Sequence, residues 1–312
     1  MNKTKIIIAG IGGVGGYFGG LLARHFQNSP SVEISFIARG EHLKAIQNNG
    51  LTVINSTETF TAKPAIATNN PPEIGIANFI IIATKSYDLE NVMHQLQPCI
   101  DRNTIILPLL NGIVSKEQLQ KIYPDNTVLN GCVYIISRLK EPGIVENSGN
   151  IQKLYFGLDT PLNNQILLLE DLLKQAGVEA ILSENSTEII WEKFIFLSPT
   201  ATATSYFDQN IGPLLEDDNH RTILMGLIEE ITRIAKARKV AISEDIVALT
   251  MKKLEALPYQ ATSSMHTDIR NNKPNNELES LTGFIITEGQ KYNVPTPTYS
   301  MLYNKLSEKF RK

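Results

Sequence analysis

A lysine stands in the stretch WEKFIFLSPTATATSY, Trp191–Tyr206, where apolar neighbours leave a helix little surface for water. Lys193 is flanked by Trp191, Phe194, Ile195, Phe196 and Leu197. An ammonium buried without a partner costs several kcal/mol, so such a position is ordinarily apolar. Either Lys193 stretches its stem along the apolar surface and keeps its charge in water, or it is held in place for chemistry, as an acid or a cationic contact.

Another constellation lies near the start of the chain. Residues Gly10–Gly15 read GIGGVG, a G-x-G-x-x-G pattern that directly follows the strand-like run KIIIA, Lys5–Ala9, and opens a helical segment. In that context the pattern is a dinucleotide-binding fingerprint. Gly10 makes the tight turn, Gly12 lets the backbone approach a pyrophosphate, and Gly15 lets helix and strand pack closely. With Ile11, Gly13 and Val14 they form a loop that delivers free N–H groups at a helix N-terminus. The second strand ends in FIAR, with Arg39 where an acidic residue would bind a ribose 2′-hydroxyl. An arginine there accommodates a 2′-phosphate, which points to NADP(H) over NAD(H), although a surface arginine could also stand there. Lys85 follows IIIAT and Asn111-Gly112 follows LPLL, two strand ends of the kind where open parallel sheets bind ligands. Each is also an ordinary turn residue.

The elements that must position these groups alternate in the first half. Lys5–Ala9, Val32–Ala38, Asn78–Thr84, Thr104–Leu110 and Thr127–Ser137 are apolar, β-rich runs. Helical patterns at Glu41–Asn49, Asp88–Leu96 and Ser115–Tyr123 separate several of them, as in a parallel sheet covered on both faces. Pro142–Gly157 reads as an antiparallel hairpin, followed by a helix near Asn163–Ala176 and a short strand, VEAIL. From Asn185 the strands stop. Asn185 with Glu188 resembles a capping box opening the helix that carries Lys193, and Pro199 is expected to kink that helix. Further helices are expected over Leu214–Arg238, Ser243–Leu257, Glu277–Tyr292 and Thr298–Phe310, with Pro258–Asn276 as a long loop of the kind that often carries function. The expected fold is α/β, with a Rossmann-type doubly wound sheet over 1–184 and an all-α domain over 185–312.

Composition narrows the class. At 312 residues two domains are favoured over one, and 42% hydrophobic with 20% charged residues describes an ordinary globular protein. A net charge of −3 gives no reason to expect nucleic acid or an anionic membrane as partner. Cys99 and Cys132 carry no metal or redox spacing, and the five histidines are scattered, so no metal is expected. The uncharged stretch Ile6–Ala23 resembles a signal or membrane segment, but seven of its 18 residues are glycine, a poor composition for an apolar helix. The expected location is the cytoplasm.

Taken in order, GIGGVG, the AR after the second strand, ATKSYD around Lys85, NG at Asn111, WEKF around Lys193, SSM at Ser263–Met265 and KPNNELESLTG at Lys273–Gly283 resemble the ketopantoate reductase family. The resemblance covers nearly the whole chain. It implies a Rossmann domain, a helical domain, an active site in the cleft between them, and NADPH-dependent reduction of a 2-oxo acid, 2-dehydropantoate above all, in pantothenate synthesis. It makes Lys193 the proton donor and Glu277 an acidic residue near both lysine and cofactor. Asn111 and Lys85 match residues lining nicotinamide and ribose, Ser264 a substrate contact, and Ser137 a cofactor backbone contact. A homodimer is compatible with it. The chain departs from the family where asparagines commonly hold the substrate: Leu197, Ala201 and Ile211 stand there instead.

Two functions fit these residues. In one, a positioned ammonium stabilises charge growing on a carbonyl oxygen and then supplies the proton, an effect typically worth about 10²–10⁴-fold in rate. In the other, the protein binds NADP(H) without catalysis, as a redox-responsive regulator; the missing asparagines favour it, while Lys193, Glu277 and Asn111 count against it. A reductase of a different branched 2-oxo acid is the nearer alternative.

Overall fold

The computed structural model describes residues 3–309. The chain divides into two compact units, one running up to Leu110 and including Ser115–Ser186, the other joining Asn111–Val114 to the chain from Thr187 onward. In chain order the strands are β1 (Thr4–Ala9), β2 (Val32–Ile37), β3 (Leu51–Ile54), β4 (Thr59–Ala62), β5 (Ile66–Thr68), β6 (Phe79–Ile82), β7 (Ile105–Pro108), β8 (Asn130–Glu141), β9 (Ile144–Gly157) and β10 (Glu179–Ser183). The helices between them are α1 (Gly13–Phe26), α2 (Gly40–Asn49), α3 (Leu89–Leu96), α4 (Val114–Ile122) and α5 (Asn164–Gln175).

Five strands form a parallel sheet in the order β5-β2-β1-β6-β7. The near-continuous apolar runs follow from cover on both faces. Ile6, Ile8, Phe79, Ile81, Ile105 and Leu107 point into one core with α1, whereas Ile7, Ile80, Ile82 and Ile106 point into another with α3 and α4. The doubly wound α/β fold expected from sequence is therefore present.

The unit also contains a second sheet that the alternating reading does not contain, ordered β10-β9-β3-β4 with β8 paired to β9. The run Thr127–Ser137 is not a strand of the parallel sheet. A single bridge, Ile106 to Val128, touches it, and the chain then becomes β8, the first arm of a long antiparallel hairpin with β9. The segment Pro142–Gly157 holds only the turn and the second arm. Strands β3 to β5 are short, four, four and three residues, which is why their alternation is weak in the sequence.

Helix α1 is squeezed between the two sheets, and this accounts for its glycines. A Cβ on Gly15 would lie 2.1 Å from the Gly10 carbonyl oxygen, and one on Gly19 3.2 Å from Phe36, both toward the parallel sheet. About 100° round the helix, a Cβ on Gly16 would meet Val145 at 2.5 Å and one on Gly20 Val53 at 2.6 Å, on the second sheet. The glycine density that argues against a membrane helix is thus a packing requirement of a 14-residue helix with close neighbours on opposite sides. No helix among the described residues is long and apolar enough to cross a membrane.

The second unit is helical: α6 (Ser186–Phe207), α7 (Ile211–Glu216), α8 (Asp218–Ala237), α9 (Ile246–Glu255), α10 (Ser264–Arg270), α11 (Phe284–Tyr292) and α12 (Pro297–Glu308). Helix α6 continues through Pro199 without a break. Three expectations need correction. Leu214–Arg238 is two helices, because the Asp217 carboxylate accepts the N–H groups of Asn219 and His220 and starts α8 afresh. Pro258–Asn276 is no continuous loop, since Ser263 caps α10 inside it. Glu277–Tyr292 is not uniform: Glu279–Gly283 makes a π turn before α11. The expected helix end at Phe310 lies outside the described residues.

Close packing of α1 gives a stability test. Overpacking costs about 1–3 kcal/mol, against about 1 kcal/mol gained in helix propensity when a glycine is replaced by alanine. Gly20→Ala is expected to lower the melting temperature, and Gly20→Ala combined with Val53→Ala to melt above Val53→Ala alone. A rise in Tm for the single Gly20→Ala variant, measured by thermal denaturation, would refute the contact.

Candidate functional site

The glycine loop lies in the first unit as the fingerprint requires. Strand β1 ends at Ala9, Gly10 turns the chain at φ 91°, and α1 begins at Gly13 with Gly12 as its N-cap. A side chain at Gly10 would strike Thr84 and Ala83 at the end of β6, at 2.7–2.9 Å. Gly12 differs: nothing stands within 4 Å of its missing Cβ, so its backbone faces open space. No side chain caps α1, and its first turn holds no acidic residue. The helix N-terminus therefore presents N–H groups and a partial positive charge without an internal anion to answer them.

Two hydroxyls border this loop. Gly13 packs so closely on β8 that a Cβ would meet the Ser137 carbonyl oxygen at 2.4 Å. The Thr84 and Ser137 side-chain oxygens are buried without a hydrogen-bond partner. A buried hydroxyl left unpaired costs roughly 1–3 kcal/mol, so two of them beside an open glycine loop fit a polar ligand there. Arg39, the residue after Ala38, sits at the N-terminus of α2 with its side chain 81% exposed, and donates to the Asp88 carboxylate at 3.2 Å. Lys85 lies next to Thr84, at the start of the turn Ser86–Asp88.

The other candidates gather in the second unit. Lys193 is half-buried on α6 and donates from Nζ to the Asn111 side-chain oxygen at 3.3 Å. Asn111 comes from the end of the β7 run, yet Asn111–Val114 packs with the helical unit. Gly112 allows this: its φ is 88°, and a Cβ there would lie 3.6–3.9 Å from the Ser280 carbonyl oxygen, Leu281 and Phe194. One turn thus joins three sequence-distant stretches, 111–112, 193–194 and 280–281. Glu277 is buried, 2% exposed, and its carbonyl receives the Leu281 N–H.

The π turn is secured by α6. Ser198 donates its hydroxyl to the Leu281 carbonyl at 2.7 Å, and Thr202 bonds Thr282 at 2.8 Å. π turns leave backbone groups off the regular ladder and occur frequently at functional sites. The small polar run SPTATATS thus supplies hydroxyls to a close-packed interior, a role its composition alone does not reveal.

Ser264 stands apart from the lysine. It is exposed at the start of α10, and its neighbour Ser263 bonds Thr204 at 3.2 Å. Thr204 is eleven residues beyond Lys193 on the same helix, about 16 Å along the axis. Of the residues replacing family asparagines, Leu197 is half-buried one turn after Lys193, whereas Ala201 and Ile211 are core residues at 0% and 1% exposure. The predicted set therefore falls into a loop group in the first unit, with Lys85 and Ser137, and a lysine group in the second, with Asn111. Sequence reasoning missed Asp88 as the partner of Arg39 and Thr84 as a wall of the loop, although both stand in the ATKSYD stretch around Lys85.

A glycine loop on a doubly wound sheet, followed by a helical unit with a lysine–amide pair, defines an oxidoreductase that works with a nicotinamide cofactor. Residues 6–160 match the family described as Ketopantoate reductase PanE/ApbA, and residues 185–310 match its C-terminal counterpart. The chain belongs to the ketopantoate reductase family. It is similar to the crystal structure of 2-dehydropantoate 2-reductase from Porphyromonas gingivalis W83, 34% identical, with 98% of this chain and 100% of that one covered and a TM-score of 0.87. The uncharacterized oxidoreductase YkpB of Bacillus subtilis is 26% identical over 97% of each chain. The fold is shared as well by D-mandelate dehydrogenase, in a ternary structure with NADH and anilino(oxo)acetate, at 24% identity, 98% coverage of both chains and a TM-score of 0.84.

Lys193 offers a clear test. Proton transfer by a positioned group contributes about 10²–10⁴-fold, so Lys193→Ala is expected to lower kcat by about 10² or more with little change in affinity for the nicotinamide cofactor. A correctly folded Lys193→Ala protein that turns over normally would reduce the lysine to a packing role.

Proposed function

We propose that this chain is an NADPH-dependent reductase that converts a branched 2-oxo acid to its 2-hydroxy acid, with 2-dehydropantoate to pantoate, the reduction step of pantothenate synthesis, as the first reaction to test. The observation that carries the proposal is the bond from Lys193 to Asn111, which holds an ammonium in one direction inside an otherwise apolar helix face. A nicotinamide cofactor held at the glycine loop would supply hydride for the carbonyl carbon. As charge grows on the carbonyl oxygen, Lys193 stabilises it by a charge-assisted hydrogen bond and passes its proton to it. Asn111 fixes the lysine rotamer, and buried Glu277 lies on the segment packed against the same turn. The alternative of a silent NADP(H)-binding regulator is tested at once by NADPH oxidation with a panel of 2-oxo acids: binding without oxidation of NADPH by any of them supports the regulator.

The cofactor choice rests on Arg39. Its guanidinium is exposed and engaged only by the carboxylate of Asp88 in the bonds described, a partner that a 2′-phosphate would displace or share. A charge-assisted contact to phosphate is worth about 1.5–3 kcal/mol. Arg39→Ala is therefore expected to weaken NADPH binding about tenfold or more and leave NADH binding nearly unchanged. Equal losses for both cofactors in a fluorescence titration would mean that Arg39 does not read the phosphate; NADH in the D-mandelate dehydrogenase complex makes the comparison necessary.

Leu197 favours a broader substrate range than 2-dehydropantoate alone. It places an apolar side chain one turn from Lys193, where the family commonly holds the substrate with an amide. A site that hydrogen-bonds a hydroxyl rejects analogues lacking it strongly, whereas an apolar site discriminates by about 1–3 kcal/mol. Ketopantoate is expected to exceed 2-oxoisovalerate in kcat/KM by no more than about 200-fold. A preference above about a thousandfold would show that other groups hold the hydroxyl.

A further inference from the structure

The glycine loop has a support outside its own motif. His42, in the first turn of α2, bonds the Ile11 carbonyl oxygen through Nε2 at 2.6 Å and receives the Gly143 N–H on Nδ1 at 2.9 Å. Gly143 is the turn between β8 and β9, with φ 82°. A ring nitrogen that accepts an N–H carries no proton, and a ring nitrogen facing a carbonyl must carry one. The two contacts together therefore fix the neutral Nε2–H tautomer. Burial holds the ring below the ordinary histidine pKa, the bond to Ile11 opposing it, so the neutral form prevails at pH 7.

We propose that His42 is a positioning residue for the cofactor loop, an inference that rests on the nicotinamide reading above. A trans peptide is planar, so its C=O and N–H point in opposite directions. Pinning the Ile11 carbonyl to His42 therefore aims the Gly12 N–H the other way, and Gly12 is the loop residue whose Cβ position is open. The Gly143 N–H completes the clamp by holding the ring from its other nitrogen. The β8–β9 hairpin backs the loop twice, through Ser137 against Gly13 and through Gly143 by way of His42. Without the imidazole, the peptide between Ile11 and Gly12 is free to rotate, and the amide direction needed by a pyrophosphate must be re-established on binding.

The test compares His42→Leu with His42→Gln. Leucine keeps the bulk and loses both bonds; glutamine carries one donor and one acceptor on a planar group and does not titrate. Measured by equilibrium titration, the Kd for NADPH is expected to rise about tenfold in His42→Leu and to stay within about threefold of wild type in His42→Gln. At saturating NADPH, kcat is expected to stay within about twofold in both, so the loss falls on cofactor binding. The ¹⁵N shifts of His42 in the unliganded wild-type protein are expected to report a protonated Nε2 and a bare Nδ1. The opposite tautomer, or a charged ring at pH 7, overturns the clamp, as does an unchanged Kd in folded His42→Leu. Failure of the wild-type protein to bind NADPH at all overturns the cofactor reading and this inference with it.

Discussion

An ammonium group on an apolar helix face has to be answered, and in this chain a side-chain amide answers it. The Lys193–Asn111 hydrogen bond constrains more than two residues. Asn111 reaches α6 only because the chain leaves the β7 run and turns at Gly112 with a positive φ, in contact with Phe194 and the Ser280 carbonyl. The π turn at Glu279–Gly283 has to lie where that contact exists, and α6 secures it with Ser198 and Thr202. Hydroxyls that look incidental in sequence are thus part of what places the lysine. A bond of this kind contributes about 1.5–3 kcal/mol, which is modest, but it also fixes the direction in which a half-buried ammonium points.

A related constraint operates in the first unit. Helix α1 begins at the glycine loop and is packed between two sheets along its length, so a Cβ at Gly15, Gly16 or Gly20 would clash and one at Gly19 would be crowded. Close packing fixes the helix axis, and the axis fixes where its first N–H groups point. The loop before it is then held from two sides, by Thr84 at the end of β6 and by Ser137 on β8. Preorganisation of this sort lowers the ordering cost of binding.

Legibility in the sequence followed the strength of local signals. The parallel sheet was readable because Ile6–Ala9, Phe79–Ile82 and Ile105–Leu107 are buried on both faces and so are apolar without interruption. GIGGVG was readable because its position between strand and helix supplies the context the motif needs. The second sheet was not readable: β3 and β4 are short, and Thr127–Ser137 looks like one more parallel strand until β9 is available to pair with it. Register is a long-range property, and apolar β content does not specify the partner. Likewise α10 was hidden because its start depends on the Ser263 hydroxyl, a cap too short-ranged to outweigh the polar run around it.

The site divides along the same line. Lys193 declared itself through a conflict, a charge where burial was expected, and conflicts of that type mark function because packing alone would remove them. Arg39 and Asn111 were legible only by position, at strand ends, and the structure separates them: Arg39 stays with the loop, whereas Asn111 joins the lysine. Leu197 carried no local signal; its meaning comes from standing one turn beyond Lys193, half-buried, while Ala201 and Ile211 are enclosed in the helical core. Core positions can change from amide to alkyl with little effect on anything but packing, whereas a half-buried position one turn from a lysine changes what that lysine's surroundings accept. The substrate question therefore narrows from three departures to one side chain, Leu197, and to whether the surface around it presents a hydroxyl with a partner or with hydrocarbon.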